Sequence, residues 1–188
     1  MKRVLIGIHG KPRAGKDTLA HYLRKKYHLM QYGPSVAVKA TTAAMFDVPI
    51  ENFYDDSLKE TVDPFWKISY REMAQRVGKE SSRDVFGDDI WMRHVEKRLN
   101  EVHPNTYRGI ILADIRYENE VEWVRNHGGI VLFITRENRS YVANETHVAE
   151  AGLPLHLADV IIPNNSTIEA LYTQADLILG PLVGECNG

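Results

Sequence analysis

The chain has 188 residues, enough for one substantial core and too few for two comfortable domains. Its apolar and charged fractions are those of an ordinary globular protein, which excludes wholesale disorder, and its net charge of −2 excludes a dedicated nucleic-acid binder with a strongly basic surface. A single cysteine, Cys186, excludes an internal disulfide and points to a reducing compartment.

Met1, Lys2 and Arg3 precede an apolar run over residues 4–8 that leads straight into a glycine loop. That run is shorter than a secretory core, and no stretch approaches the roughly 20 apolar residues needed to cross a bilayer. The expectation is a soluble, cytoplasmic protein with no membrane partner. Leu19, Leu23 and Tyr27 then recur at four-residue spacing opposite Arg24 and Lys25, which predicts an amphipathic helix. Residues 29–32 are a weaker strand candidate. From 34 to 104 the chain reads as a mostly helical insertion, with helical periodicity over 36–46, 70–79 and 89–102. Strands follow at 110–113 and 130–134, with a helix through Val121 and Val124 between them, stopped by Gly128 and Gly129. The polar segment 136–157, carrying Arg136, Arg139 and His147, reads as a flap. A strand at 160–162 and a helix opening on Ile168, Leu171 and Tyr172 end the pattern, with Asn165 or Ser166 as the N-cap. The strand runs are rich in Ile and Val and lack polar alternation, as strands buried on both faces do. Strand–helix alternation of this kind implies a parallel α/β sandwich with right-handed crossovers.

The glycine loop is the sharpest signal. Gly10-Lys-Pro-Arg-Ala-Gly-Lys16 lies between a strand and a helix, which is the context a Walker A phosphate loop requires. Gly10, Arg13, Ala14 and Gly15 offer backbone amides to phosphate oxygens, the helix start adds its dipole, and Lys16 supplies a point charge for the β and γ phosphates. Asp17 stands where Ser or Thr usually meets magnesium, with Thr18 one place later. A carboxylate facing a triphosphate implies a cation between them, held by Asp17 or Thr18. Asp114 closes the 110–113 strand and Arg116 follows. Residues at the carboxyl ends of parallel strands share one crevice, so Asp114 is a candidate magnesium ligand and Arg116 a bridge between donor and acceptor phosphates. The plainer alternative has Asp114 capping the helix near Tyr117 and pairing with Arg116. Arg136 and Arg139 are candidates for neutralising transferred charge. His147 and His156 lack metal-ligand spacing with any Cys or second His, so no zinc site is expected.

These residues carry a resemblance to the phage-type deoxynucleoside monophosphate kinases, a branch of the P-loop nucleoside monophosphate kinase superfamily. It rests on Gly-Lys-Pro-Arg-Ala-Gly-Lys-Asp-Thr at 10–18 and on Arg71-Glu-Met-Ala-Gln75 with Gly78. Arg83, Trp91, Asp114-Ile-Arg116 with Glu120, Thr146-His-Val-Ala-Glu-Ala-Gly-Leu-Pro154 and Asp159-Val-Ile-Ile-Pro-Asn164 continue it in the same order. Asp after the loop lysine is similar to what this family shows. The resemblance implies a single P-loop kinase domain: a three-layer α/β sandwich with a five-stranded parallel core (1–33, 105–135 and 158–188), a helical monophosphate-binding region (34–104) and a short lid (136–157). It implies ATP and magnesium as cofactors and phosphoryl transfer to a deoxynucleoside 5′-monophosphate as the reaction. On that reading Lys39, Arg71 and Arg83 hold the acceptor phosphate, and Gln75 its base or sugar. Trp91, Phe65 and Trp66 offer stacking surfaces, with core packing the better reading of Trp91. Asn164 and Asn165 lie beside adenine, or simply turn into the final helix. A phosphate acceptor is ionised at neutral pH and needs no general base, in keeping with the lack of a catalytic His or Ser constellation. Phosphomevalonate kinases of animal type share a similar loop and strand end and are the nearest alternative enzyme. A nucleotide-binding switch with slow hydrolysis is the non-catalytic one. The motifs specify the superfamily more sharply than the base or sugar of the substrate, and they are compatible with a homodimer as well as a monomer.

Overall fold

Five short apolar runs become β1 (Val4–His9), β2 (Leu29–Gln31), β3 (Gly109–Leu112), β4 (Ile130–Thr135) and β5 (Val160–Pro163) in a computed structural model that describes residues 3–103, 105–137 and 152–183. All pair in parallel, in the order β2-β3-β1-β4-β5. The weak candidate over 29–32 is therefore a real edge strand. The phosphate-loop strand β1 lies at the centre, and the chain reverses direction of growth on either side of it. That is where ligands of open α/β sheets collect.

The helices are α1 (Lys16–Tyr27), α2 (Pro34–Phe46), α3 (Tyr70–Gly78), α4 (Asp84–Phe86), α5 (Ile90–Glu101), α6 (Glu118–Asn126) and α7 (Ile168–Val183). Ile6 and Ile8 on β1 join Leu19 and Leu23 of α1 and Leu171, Ala175 and Leu179 of α7 in one buried cluster. The opposite face of β1 meets α6, where Val124 approaches Gly7. Strand alternation thus feeds two layers of helix, and the architecture is an α/β three-layer sandwich. Tyr22 of α1 stacks on Tyr172 of α7 at 3.9 Å, and Asp176 accepts from Tyr22 and Lys26 at 2.5 and 2.6 Å.

The chain divides into two compact units, Met1–Gly33 with Glu96–Gly188, and Pro34–Val95. In the second, Ala37, Val77 and Trp91 form one apolar cluster and Phe53, Tyr70 and Met73 another. Two local features escape periodicity analysis: a 3-10 turn at Ile50–Phe53 and a π-helical turn at Lys79–Arg83. The N-cap of α7 needs correction. Thr167 Oγ1 accepts the Ala170 amide, whereas Asn165 Oδ1 accepts the Glu137 amide at 2.8 Å. Among the described residues no helix is long and apolar enough to cross a membrane.

Candidate active site

The loop joining β1 to α1 turns through two left-handed residues, Arg13 at φ 63° and Gly15 at φ 107°. Backbone of that kind aims successive amides inward, forming a concavity suited to anions. Only glycine fits at its two ends. A Cβ on Gly10 would lie 2.6 Å from the Ile134 carbonyl oxygen, and one on Gly15 would lie 2.5 Å from Asn164 Nδ2. Lys16, the first residue of α1, reaches back so that Nζ donates to the Lys11 carbonyl at 3.2 Å. Its ammonium also lies 4.0 Å from Asp114 Oδ1.

Asp114 stands two residues past β3 rather than at its end. Oδ2 accepts from Arg116 Nε at 2.8 Å and Nη2 at 2.7 Å, so the carboxylate sits between two cations. The plainer alternative is half right: the pair forms, but the start of α6 is capped by Glu120. That buried carboxylate accepts the Arg116 amide at 2.8 Å and the Tyr117 amide at 3.3 Å. A Glu three residues after a helix boundary is a capping-box signature, so this function was readable from spacing.

His9, Gly10, Lys16, Asp114, Arg116 and Gly152 line one pocket. Burial pushes the His9 imidazole below its ordinary range, opposed by the hydrogen bond to Ile115 and by Asp114, and reinforced by Lys16 and Arg116. No sequence signal marked His9 beyond its place before the loop.

Asn164 supports the loop from behind. Its side chain is buried, and Nδ2 donates to the Ala14 carbonyl at 2.8 Å. Replacing Asn164 by alanine is expected to cost about 1–3 kcal/mol of stability, because the Ala14 carbonyl loses its buried donor. Thermal melts should fall by several degrees and the KM for nucleotide should rise. Unchanged melts would show that the loop needs no such support.

The remaining candidates separate by location. Asp17 is exposed and Thr18 half-buried on the first turn of α1, and Arg13 and Arg136 are exposed. Arg139 and His147 lie outside the described residues, as does most of the 136–157 segment. On the Pro34–Val95 unit, Lys39 Nζ stands 4.0 Å over the Tyr54 ring and Arg71 Nε meets Glu60 at 2.5 Å. Gln75 follows Arg71 by one helical turn, so the two share a face of α3. Arg83, only 4% exposed, ends the π-helical turn and donates to the Asp88 carbonyl at 2.6 Å. Trp91 packs in the core, its better reading, and offers no stacking surface to a substrate: it is 3% exposed and its indole N–H donates to the Gly78 carbonyl at 2.8 Å. Phe65 is by contrast 78% exposed.

Comparison with known proteins agrees with this geometry. The fold is similar to that of dephospho-CoA kinase from Campylobacter jejuni, with a TM-score of 0.51 at 10% identity over 97% of this chain and 98% of that one. In sequence the chain is 27% identical, over an alignment of 233 residues, to the deoxynucleotide monophosphate kinase of Enterobacteria phage T4, covering 90% of this chain and 96% of that protein. It is 28% identical over 182 residues to a protein of Acanthamoeba polyphaga mimivirus provisionally named for the same activity, covering 91% and 93%. The family model for deoxynucleotide monophosphate kinases matches residues 56–175, beginning well after the glycine loop, and the chain belongs to that family.

Proposed function

We propose that the protein transfers the γ-phosphoryl group of ATP to a deoxynucleoside 5′-monophosphate, giving ADP and a deoxynucleoside diphosphate. The observation that carries this reading is the convergence of the left-handed glycine loop, Lys16, Asp114 and Arg116 on one pocket. Backbone amides of Gly10, Arg13, Ala14 and Gly15 hold the phosphates, with Lys16 on the β and γ oxygens. Arg116 and Arg136 neutralise charge on the group in transit, joined by Arg139 beyond the described residues. Asn165 stands beside the base of ATP, and Asn164 keeps the loop in shape for it.

The donors present fit a magnesium–nucleotide complex. Asp114 is a hard oxygen ligand beside a loop whose cradle a Cβ would fill, and Asp17 or Thr18 adds a second oxygen. Bound magnesium would supply charge neutralisation of the β and γ oxygens. On the acceptor side, Lys39, Arg71 and Arg83 take the monophosphate, with Arg71 exchanging Glu60 for phosphate, and Gln75 reads the base or sugar. The segment 136–157 serves as the lid, and the activity belongs to the cytoplasm, that of the host cell if the protein is phage-encoded.

An acceptor panel tests the reading. ADP release with dAMP, dGMP, dCMP or dTMP should exceed the acceptor-free rate by about 100-fold or more for at least one base. Phosphomevalonate should give no acceleration. Acceleration by phosphomevalonate alone, or by no acceptor at all, would overturn the assignment.

A further inference from the structure

His9 ends β1 immediately before the phosphate loop, and both of its ring nitrogens have partners. Nδ1 lies 2.7 Å from the Ile115 carbonyl oxygen, and Nε2 lies 3.1 Å from the Leu153 amide nitrogen. A carbonyl can only accept and an amide can only donate, so the partners define a neutral ring with its proton on Nδ1. The ring also leans on Phe133, at 4.5 Å between centroids.

The first of these bonds matters through what Ile115 connects. Its own amide donates to the Ile8 carbonyl at 2.9 Å. Ile115 is thus tied to the end of β1 at both of its polar groups, by Ile8 at the nitrogen and His9 at the oxygen. It is also the residue between Asp114 and Arg116, whose side chains converge with Lys16 in the pocket. A turn of the peptide following Ile115 would carry Arg116 with it and shift its grip on Asp114. The second bond fastens the chain at Leu153, next to Gly152 on the pocket wall.

We propose that His9 is a positioning residue for phosphoryl transfer: donating from Nδ1 to the Ile115 carbonyl while accepting the Leu153 amide at Nε2, it keeps the Asp114–Arg116 turn in register with the phosphate loop. This rests on the kinase reading above. His9 acts through Asp114 and Arg116 rather than on the nucleotide. Displacement of a reacting group by 1 Å is worth on the order of 100-fold in rate, so a strut of this kind has leverage out of proportion to its bond strength. Lys16 and Arg116 face the ring with positive charge and Asp114 with negative. Together with burial, this balance keeps the ring neutral, as the two bonds require.

Three variants separate the two bonds. Asparagine places an amide donor where Nδ1 stands and keeps only the Ile115 bond. Glutamine reaches the Nε2 position and keeps only an acceptor for Leu153, and alanine keeps neither. With ATP and the preferred monophosphate varied in turn, His9→Asn should retain kcat within about threefold, while His9→Gln and His9→Ala lose about 10- to 100-fold in kcat with KM for ATP little changed. Thermal melts of His9→Asn and His9→Gln should be similar. Equal kcat losses in these two variants, or losses that simply follow melting temperature, would overturn the positioning role. A long-range ¹⁵N correlation spectrum of the unmodified protein reads the ring without turnover. The Nδ1–H tautomer is expected, and Nε2–H would overturn the proposal. An Nδ1–H ring in a protein lacking acceptor-dependent turnover would instead refute the kinase reading and, with it, any role in transfer.

Discussion

Replacing Lys16 by alanine is expected to lower kcat by about 1,000-fold or more while the protein stays folded. The two halves of that expectation have separate causes. Among the described residues the Lys16 ammonium donates one hydrogen bond, to the Lys11 carbonyl at 3.2 Å, and approaches Asp114 only to 4.0 Å. A long, partly solvated contact of that kind contributes about 0–1 kcal/mol, and alanine is the best helix former for the first turn of α1. The melting temperature should therefore move by no more than about 2–4 °C. Turnover is different. Phosphoryl transfer gives the protein little covalent chemistry to perform, so a fixed ammonium beside the β and γ oxygens is a large share of what it contributes. Losing about 4 kcal/mol of transition-state stabilisation corresponds to the rate loss stated. Arginine at this position should not restore activity, because its planar fork cannot replace a compact charge tucked against the loop. ADP production by Lys16→Ala within tenfold of the unmodified rate would remove Lys16 from the reaction.

The glycine loop was legible because its meaning is local: strand, turn, lysine and helix follow one another directly between Val4 and Tyr27. The strands were legible for a related reason. Runs of Ile and Val without polar alternation have few other uses than burial on both faces of a sheet. The order β2-β3-β1-β4-β5 was not, since pairing joins residues as far apart as Ile6 and Ile130. The same limit hid the side chains that shape the site. Asn164 matters because the end of β5 comes within 2.8 Å of Ala14, 150 positions earlier, and His9 because Ile115 and Leu153 converge on it. The cap of α7 failed differently. Asn165, Ser166 and Thr167 are all competent caps, and spacing alone cannot choose among neighbours when one of them, Asn165, is engaged by Glu137 across the sheet end. The π-helical turn at Lys79–Arg83 has no periodic signature at all, yet it delivers the buried Arg83.

Changing Asp114 to asparagine should lower kcat by about 100-fold with a stability change below about 1 kcal/mol. Asparagine is nearly isosteric and keeps an oxygen to accept from Arg116 Nε and Nη2, so the turn after β3 retains its geometry. The ion pair it weakens is partly solvated, with the two side chains 35% and 25% exposed, and surface pairs of this kind stabilise little. What is lost is the negative charge between Lys16 and Arg116. Two cations without their counterion should hold a bare triphosphate at least as well as before, so KM for ATP should not rise. The dependence on magnesium then decides what Asp114 does. If its carboxylate helps to hold the ion, the magnesium concentration needed for half-maximal rate should rise by about tenfold in Asp114→Asn, the loss expected when one anionic oxygen becomes neutral. The same titration on Asp17→Asn and Thr18→Ala ranks the other two candidates on α1. A magnesium dependence unchanged in Asp114→Asn alongside a lowered kcat would leave Asp114 the task of aiming Arg116. An unchanged kcat would remove it from the site altogether.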